Sequence, residues 1–188
     1  MALDESELYL PARGYIYIGD EGTSAPEDID SFDLNEGTPE WENIGHTSSE
    51  ELPEFGFDGG ETETLGTWQN ATLRVVETET TTHYVTFNVH QFNDLTLGLY
   101  YGSTGGSTAG RFEVQEATGG SDRALLIIVV DGQNRVAFHA PAVTIRAEDS
   151  ISMESDAFAY LPLRATLRST GEYTMAWIAP GLNEDDAS

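Results

Sequence analysis

The chain has 188 residues, of which 33 are acidic and 8 basic, giving a formal net charge of −25. All the basic residues are arginine and cysteine is absent, which excludes disulfide staples and thiolate catalysis or ligation. A surface this negative repels DNA, RNA and anionic lipid, so binding through phosphate neutralisation is excluded, and solubility or adaptation to high salt is its plain explanation.

No apolar run approaches the ~20 residues of a membrane-spanning helix, so no membrane is expected as partner. The length fits one domain over Met1–Ser188. The acidic start MALDESELYL lacks the basic and apolar parts of a secretory signal, so production and assembly in the cytosol are expected. Met1–Arg13 reads as an acidic arm with one apolar patch, Leu8 to Leu10. Gly14–Gly19, GYIYIG, is a predicted strand of aromatic and β-branched residues. Asp20–Glu40 is an acidic, Gly- and Pro-containing excursion without periodicity. Trp41–His46 is a second short strand, and Thr47–Gly66 a long polar loop that carries Leu52, Phe55 and Phe57. A long loop holding aromatics is either hidden regular structure or a functional excursion. Leu65–Thr80 brings Trp68 and the predicted strand ATLRVVET.

His83–Val89 alternates, with His83, Val85, Phe87 and Val89 on one face, as a half-buried strand does. Asn93 and Asp94 are then good helix N-caps. Phe92, Leu95 and Leu99 share one side of a short helix, and Gly102 can stop it in the left-handed conformation. The same residues admit a strand, because Leu95, Leu97, Leu99 and Tyr101 alternate and Gly98 weakens a helix. Tyr101–Gly110 is a Gly/Ser/Thr turn, and Arg111–Glu116 a strand.

Ala124–Val130 is a continuous apolar run, expected to be buried on both faces. Asp131-Gly132 starts a tight turn into Val136–Ile145, where Pro141 implies a sheet edge or a bulge. Asp156–Arg168 alternates over its whole length, with Arg164 and Arg168 on a wet or partner-facing side. Tyr173–Ile178 is the last strand, and an acidic tail runs from Ala179 to Ser188. About eight strands and one helix make a mainly β barrel or sandwich.

No catalytic constellation emerges. His46, His83, His90 and His139 have no metal-ligand spacing. Asp28 begins a run that resembles a calcium loop, but Phe32 has no oxygen to offer and Asp33 stands where glycine must turn the chain. GGSTAG at Gly105–Gly110 lacks the second glycine of a nucleophile elbow. Trp41, Trp68 and Trp177 could serve as sugar platforms, which keeps open a carbohydrate-binding or adhesive β-sandwich.

The order of the segments NIGHTSSEELPEF, ETLGTWQNATLRVVET, FNVHQFNDLTLGLYYG, ALLIIVVDG and FHAPAVTIRAEDSISMESDAFAYLPLRATL, closed by WIAPG, carries a family resemblance. It resembles the major tail, or tail tube, proteins of long-tailed phages with non-contractile tails. The resemblance implies a structural, non-enzymatic virion protein: a β-barrel or sandwich of about eight strands with one flanking helix and a long stacking loop. It implies hexameric rings stacked into a tube, with no cofactor and no metal. A tape measure protein would fill the lumen, tail terminator and tail-tip proteins would close the ends, and double-stranded DNA would pass without specific binding. It also selects the helix at Asp94–Tyr101, whose Phe92, Leu95 and Leu99 would cap the barrel. A ring of six would carry a charge of about −150, part of it around the channel. Leu52, Phe55 and Phe57 of the 47–66 loop are the inter-ring candidates. Arg164 and Arg168, rare cations in this chain, are expected to pair with acidic residues across a subunit boundary.

Overall fold

A computed structural model describes residues 8–102, 106–108, 110–114, 119–179 and 182. Residues 1–7 of the amino-terminal arm, most of the acidic tail, and parts of the 101–110 turn and of the strand expected at Arg111–Glu116 lie outside it. The structure is mainly β, with strands β1 (Arg13–Gly19), β2 (Gly37–Thr38), β3 (Trp41–Asn43), β4 (Glu54–Asp58), β5 (Thr62–Thr67), β6 (Asn70–Glu77) and β7 (Thr82–Val89). Helix α1 (Asp94–Tyr101) follows, then β8 (Gly106–Thr108), β9 (Arg111–Glu113), β10 (Ser121–Asp131), β11 (Asn134–Ala147), β12 (Leu161–Leu167) and β13 (Ala176–Ile178).

Nine strands make one antiparallel sheet in the order β2-β3-β1-β10-β11-β12-β7-β4, with β13 also paired to β11. The sheet is open: it ends at β2 on one side and β4 on the other, so no hydrogen-bonded barrel closes among the described residues. The strand count exceeds the expected eight because polar segments without apolar periodicity also pair. The expected loop 47–66 holds β4 and β5.

β10 is covered on both faces, as its unbroken apolar run requires. On one face Leu125 and Ile127 join Ile16, Val85, Phe87, Phe138, Leu163 and the helix residue Leu99. On the other, Ala124, Leu126, Ile128 and Val130 pack with Tyr17, Trp41, Ile29 and Phe32. The last two come from the acidic excursion, which therefore lids the second face. Arg135 holds that lid by donating to the carbonyls of Ile29 and Phe32, each at 2.8 Å. The Tyr17 hydroxyl donates to the Leu34 carbonyl at 2.7 Å, and burial pushes its pKa up.

The β10–β11 register slips between Arg123 and Leu125, placing Pro141 in a bulge where its missing N–H leaves no gap in the ladder. β11 pairs with β13 before the bulge, over Ala137–His139, and with β12 after it, from Val143. β12 begins only at Leu161. The alternation that suggests a strand from Asp156 belongs there to a loop, in which Phe158 is exposed and a single bridge joins Ser152 to Tyr160.

The helix is capped at both ends. Asn93 Oδ1 accepts from the Thr96 amide at 2.9 Å, and Thr96 Oγ1 accepts in return from the Asn93 amide at 3.1 Å. Gly102, at φ 64°, ends it in the left-handed region.

Candidate functional site

β4 is, with β2, one of the sheet's two edge strands. It pairs with β7 on one side, Phe55 opposite Val85 and Phe57 opposite His83. Because directly opposite residues share a face, Phe55 and Phe57 lie on the core side of the sheet. There the Phe55 ring meets Phe138 of β11 at 4.9 Å and Trp177 of β13 at 5.0 Å. Phe138 and Trp177 are themselves 5.1 Å apart. This seam joins β4 to β13 by rings and not by backbone hydrogen bonds, and it is open to solvent: Phe55, Phe57 and Trp177 are 45, 65 and 49 % exposed. Leu52, also exposed, precedes β4.

From β4 the chain turns through Gly59 and Gly60, at φ +77° and +78°, into β5 and β6. These form a separate two-stranded sheet. Its Trp68-Gln69 turn follows Thr67, which pairs with Asn70. The cross-strand bonds continue through the kink, from Gly60 N to Glu79 O at 3.1 Å and from Thr78 N to Glu61 O at 2.8 Å. β4–β5 and β6–β7 are thus one long hairpin, rooted in the sheet and bent at the glycine pair. Trp68 at its tip is fully exposed. The Gly-Gly pair and the alternation flanking Trp68-Gln69 are the sequence signals of this arm, which the loop reading of 47–66 cuts in two.

The wet face of β12, β7 and β4 carries Arg164. Its guanidinium lies 3.6 Å from the centre of the Tyr84 ring, and it bridges Asp58 of β4 to Glu148. Arg168 bridges Glu21 and Asp122. Both arginines have their carboxylate partners inside the same chain, because the curl of the sheet brings β4 and the excursion to them.

Of the proposed helix contacts, Leu99 is buried in the core and Leu95 is packed against it. Phe92 precedes the helix and is 41 % exposed. Thr96, which the spacing argument passes over, is fully buried, its hydroxyl donating to the Gln91 carbonyl at 2.7 Å.

His139 is fully buried beside Trp41, their rings 5.6 Å apart. Its Nε2 donates to the Thr23 carbonyl at 3.0 Å, which leaves Nδ1 to accept from the Tyr173 hydroxyl at 3.0 Å. Burial holds its pKa below the ordinary value, against the raising effect of the Thr23 hydrogen bond. Asp28 Oδ1 accepts from the amides of Asp30 and Ser31, a turn-forming use of the carboxylate. No metal-binding group of three or more side chains occurs among the described residues. Trp41 is buried and Trp177 is packed in the seam, so the tryptophans form no shared platform.

The described residues thus form an open sheet with β4 at one edge and a two-stranded ribbon apart from it. The whole chain, residues 1–188, matches the phage tail tube protein family. It is 40 % identical over 193 residues to the major tail protein Gp23 of Mycobacterium phage L5, covering 98 % of this chain and 95 % of the relative. The major tail protein Gp23 of Mycobacterium phage D29 is 38 % identical over the same span. The chain belongs to the phage tail tube protein family and is a structural component of the virion tail. None of its helices is long and apolar enough to cross a membrane, among the described residues.

Proposed function

We propose that the chain assembles into hexameric rings that stack into the tail tube, the conduit through which the phage genome enters the host. Family membership over the full length identifies the building block. The observation that carries the assembly reading is the β4 edge, whose outward side has no strand partner among the described residues. Such an edge is a template for another strand, and between the charges of Glu54 and Asp58 it presents the uncharged stretch Phe55–Phe57. Leu52, Phe55 and Phe57, beside this edge, are the apolar interface candidates, and Arg164 and Arg168 hold the wet face next to it.

The charge of −25 per copy fits a conduit along which DNA slides without sticking. In this reading the lumen holds a tape measure protein during assembly, and terminator and tip proteins close the two ends. Catalysis has no part in it.

Negative-stain electron microscopy of the purified chain, at low and high salt, tests this reading. Rings or tubes with a central hole are expected, more abundant at high salt because screening relieves like-charge repulsion between copies. A monodisperse monomer under all conditions overturns it.

A further inference from the structure

Between β11 and β12 the loop of residues 148–160 holds two large apolar side chains out of the fold. Phe158 and Met153 are 82 and 74 % exposed. The loop is tied down where they stand. The Tyr160 amide donates to the Ser152 carbonyl at 3.2 Å, and the Tyr100 hydroxyl of the helix to the Asp149 carbonyl at 2.7 Å. His90 Nδ1 donates to the Ala159 carbonyl at 3.1 Å, and the Phe158 ring stands 5.8 Å from the imidazole, edge to face. A ring anchored at the surface in this way loses its water only when another molecule covers it.

Beside Phe158, the loop and the turn at residues 48–51 frame a cleft of about 650 Å³. The rings of His90, Phe158 and Tyr160 line it. So do four acidic residues, Glu50 and Glu51 from the turn and Glu154 and Asp156 from the loop. No arginine lines it among the described residues. Ionised carboxylates only accept hydrogen bonds, and with Nδ1 bonded to Ala159 the uncharged His90 ring offers Nε2 as a further acceptor. Acceptors and aromatic rings together fit a positively charged donor carried on an apolar stem, which is the lysine side chain.

A second copy is the wrong partner. The chain has no lysine. Arg111, Arg123, Arg164 and Arg168 are paired with its own carboxylates, and Arg135 holds the lid. A second copy would also bring a charge of −25 against an acidic cleft. We propose that the Phe158 cleft docks a lysine-bearing segment of a different protein, one lysine stem lying along Phe158 with its ammonium among the four carboxylates. The docking stands whether or not copies of the chain form rings.

Fluorescence anisotropy of the purified chain at about 0.15 M salt tests it, with a labelled peptide of alternating lysine and alanine as probe. Binding is expected, and replacing the peptide's lysines by norleucine removes it. Phe158→Ala, at an exposed position that leaves the fold intact, is expected to weaken binding about two- to fivefold. The pair Glu154→Gln with Asp156→Asn is expected to weaken it about fivefold or more. Glu61→Gln with Glu79→Gln removes the same charge elsewhere and is expected to leave binding within about twofold of native. Equal losses from the two pairs, or no binding of the lysine peptide, overturn the docking. So does a Phe158→Ala protein that binds the peptide as the native chain does. Loss of rings or tubes in that variant, with peptide binding kept, puts a second copy on this surface instead.

Discussion

Phe55 and Phe138 lie with ring centroids 4.9 Å apart, although two strands, β7 and β12, separate theirs in the sheet. Three strand spacings in a flat sheet span about 14 Å, so the sheet must curl until its free edge returns to β11. Side chains complete what the backbone leaves open. Phe138 is buried and Phe55 half exposed. Phe138→Ala is therefore expected to cost about 3–5 kcal/mol by leaving a cavity, and Phe55→Ala clearly less. Urea denaturation of the unassembled chain measures both; equal costs would show that the seam is as enclosed as the core.

Arg164 ties the edge strand to the sheet from the opposite face. Gly56 lies opposite Tyr84, and a Cβ there would come within 2.5 Å of its ring. The missing side chain lets Tyr84 lie across β4 and carry the Arg164 guanidinium. Arg164→Lys keeps the charge but loses the planar stack and the fork to Asp58 and Glu148. We expect it to lose about 1 kcal/mol, and Arg164→Glu more, by placing a third carboxylate between two. Denaturation midpoints at low salt measure this. Charge reversal there is expected to weaken the fold itself, so a tube assay alone would misattribute its effect.

His139 gives the fold a pH dependence with a definite sign. Its native pKa lies below the ordinary 6.5, so the unfolded chain binds the extra proton first. The stabilisation is fully present above about pH 6.5 and is lost as pH falls toward the lowered native value. His139→Gln can keep one donor and one acceptor without titrating. The native chain is expected to lose more stability between pH 7 and 5 than this variant, which shares all the carboxylates. Parallel pH profiles for the two would remove His139 as the cause.

The helix depends on its caps, since eight residues are too few for propensity to hold it. Asn93→Ala is expected to cost about 1 kcal/mol. Gly102→Ala, which places a Cβ in the left-handed region, costs a similar amount, roughly 1 kcal/mol. Thr96→Val keeps the volume but leaves the Gln91 carbonyl without its donor, costing about 1–3 kcal/mol. Thermal unfolding ranks the three, and a neutral Thr96→Val would mean that water replaces the hydroxyl.

Sequence alone determined what is local. The alternation of His83–Val89 and the doubly buried run Ala124–Val130 each rest on one segment's own periodicity, whereas the choice of a bulge over an edge at Pro141 waited for the register of β10 on β11. The order of segments was enough for the family. Tertiary structure decided what depends on distant partners. Ile29 and Phe32 look like residues of a solvated acidic loop until Arg135 pins them over β10. Arg164 and Arg168 look like free cations on a wet face until the curl delivers Asp58 and Glu21 to them. Phe55 and Phe57 look like loop aromatics because β4 owes its strand to β7, almost thirty residues away, and not to its own pattern. The kink at Gly59–Gly60 splits a single hairpin into sheet and arm, a bend that the pattern of neither segment reports. Burial and pairing are properties of two surfaces, and a sequence displays each surface only once.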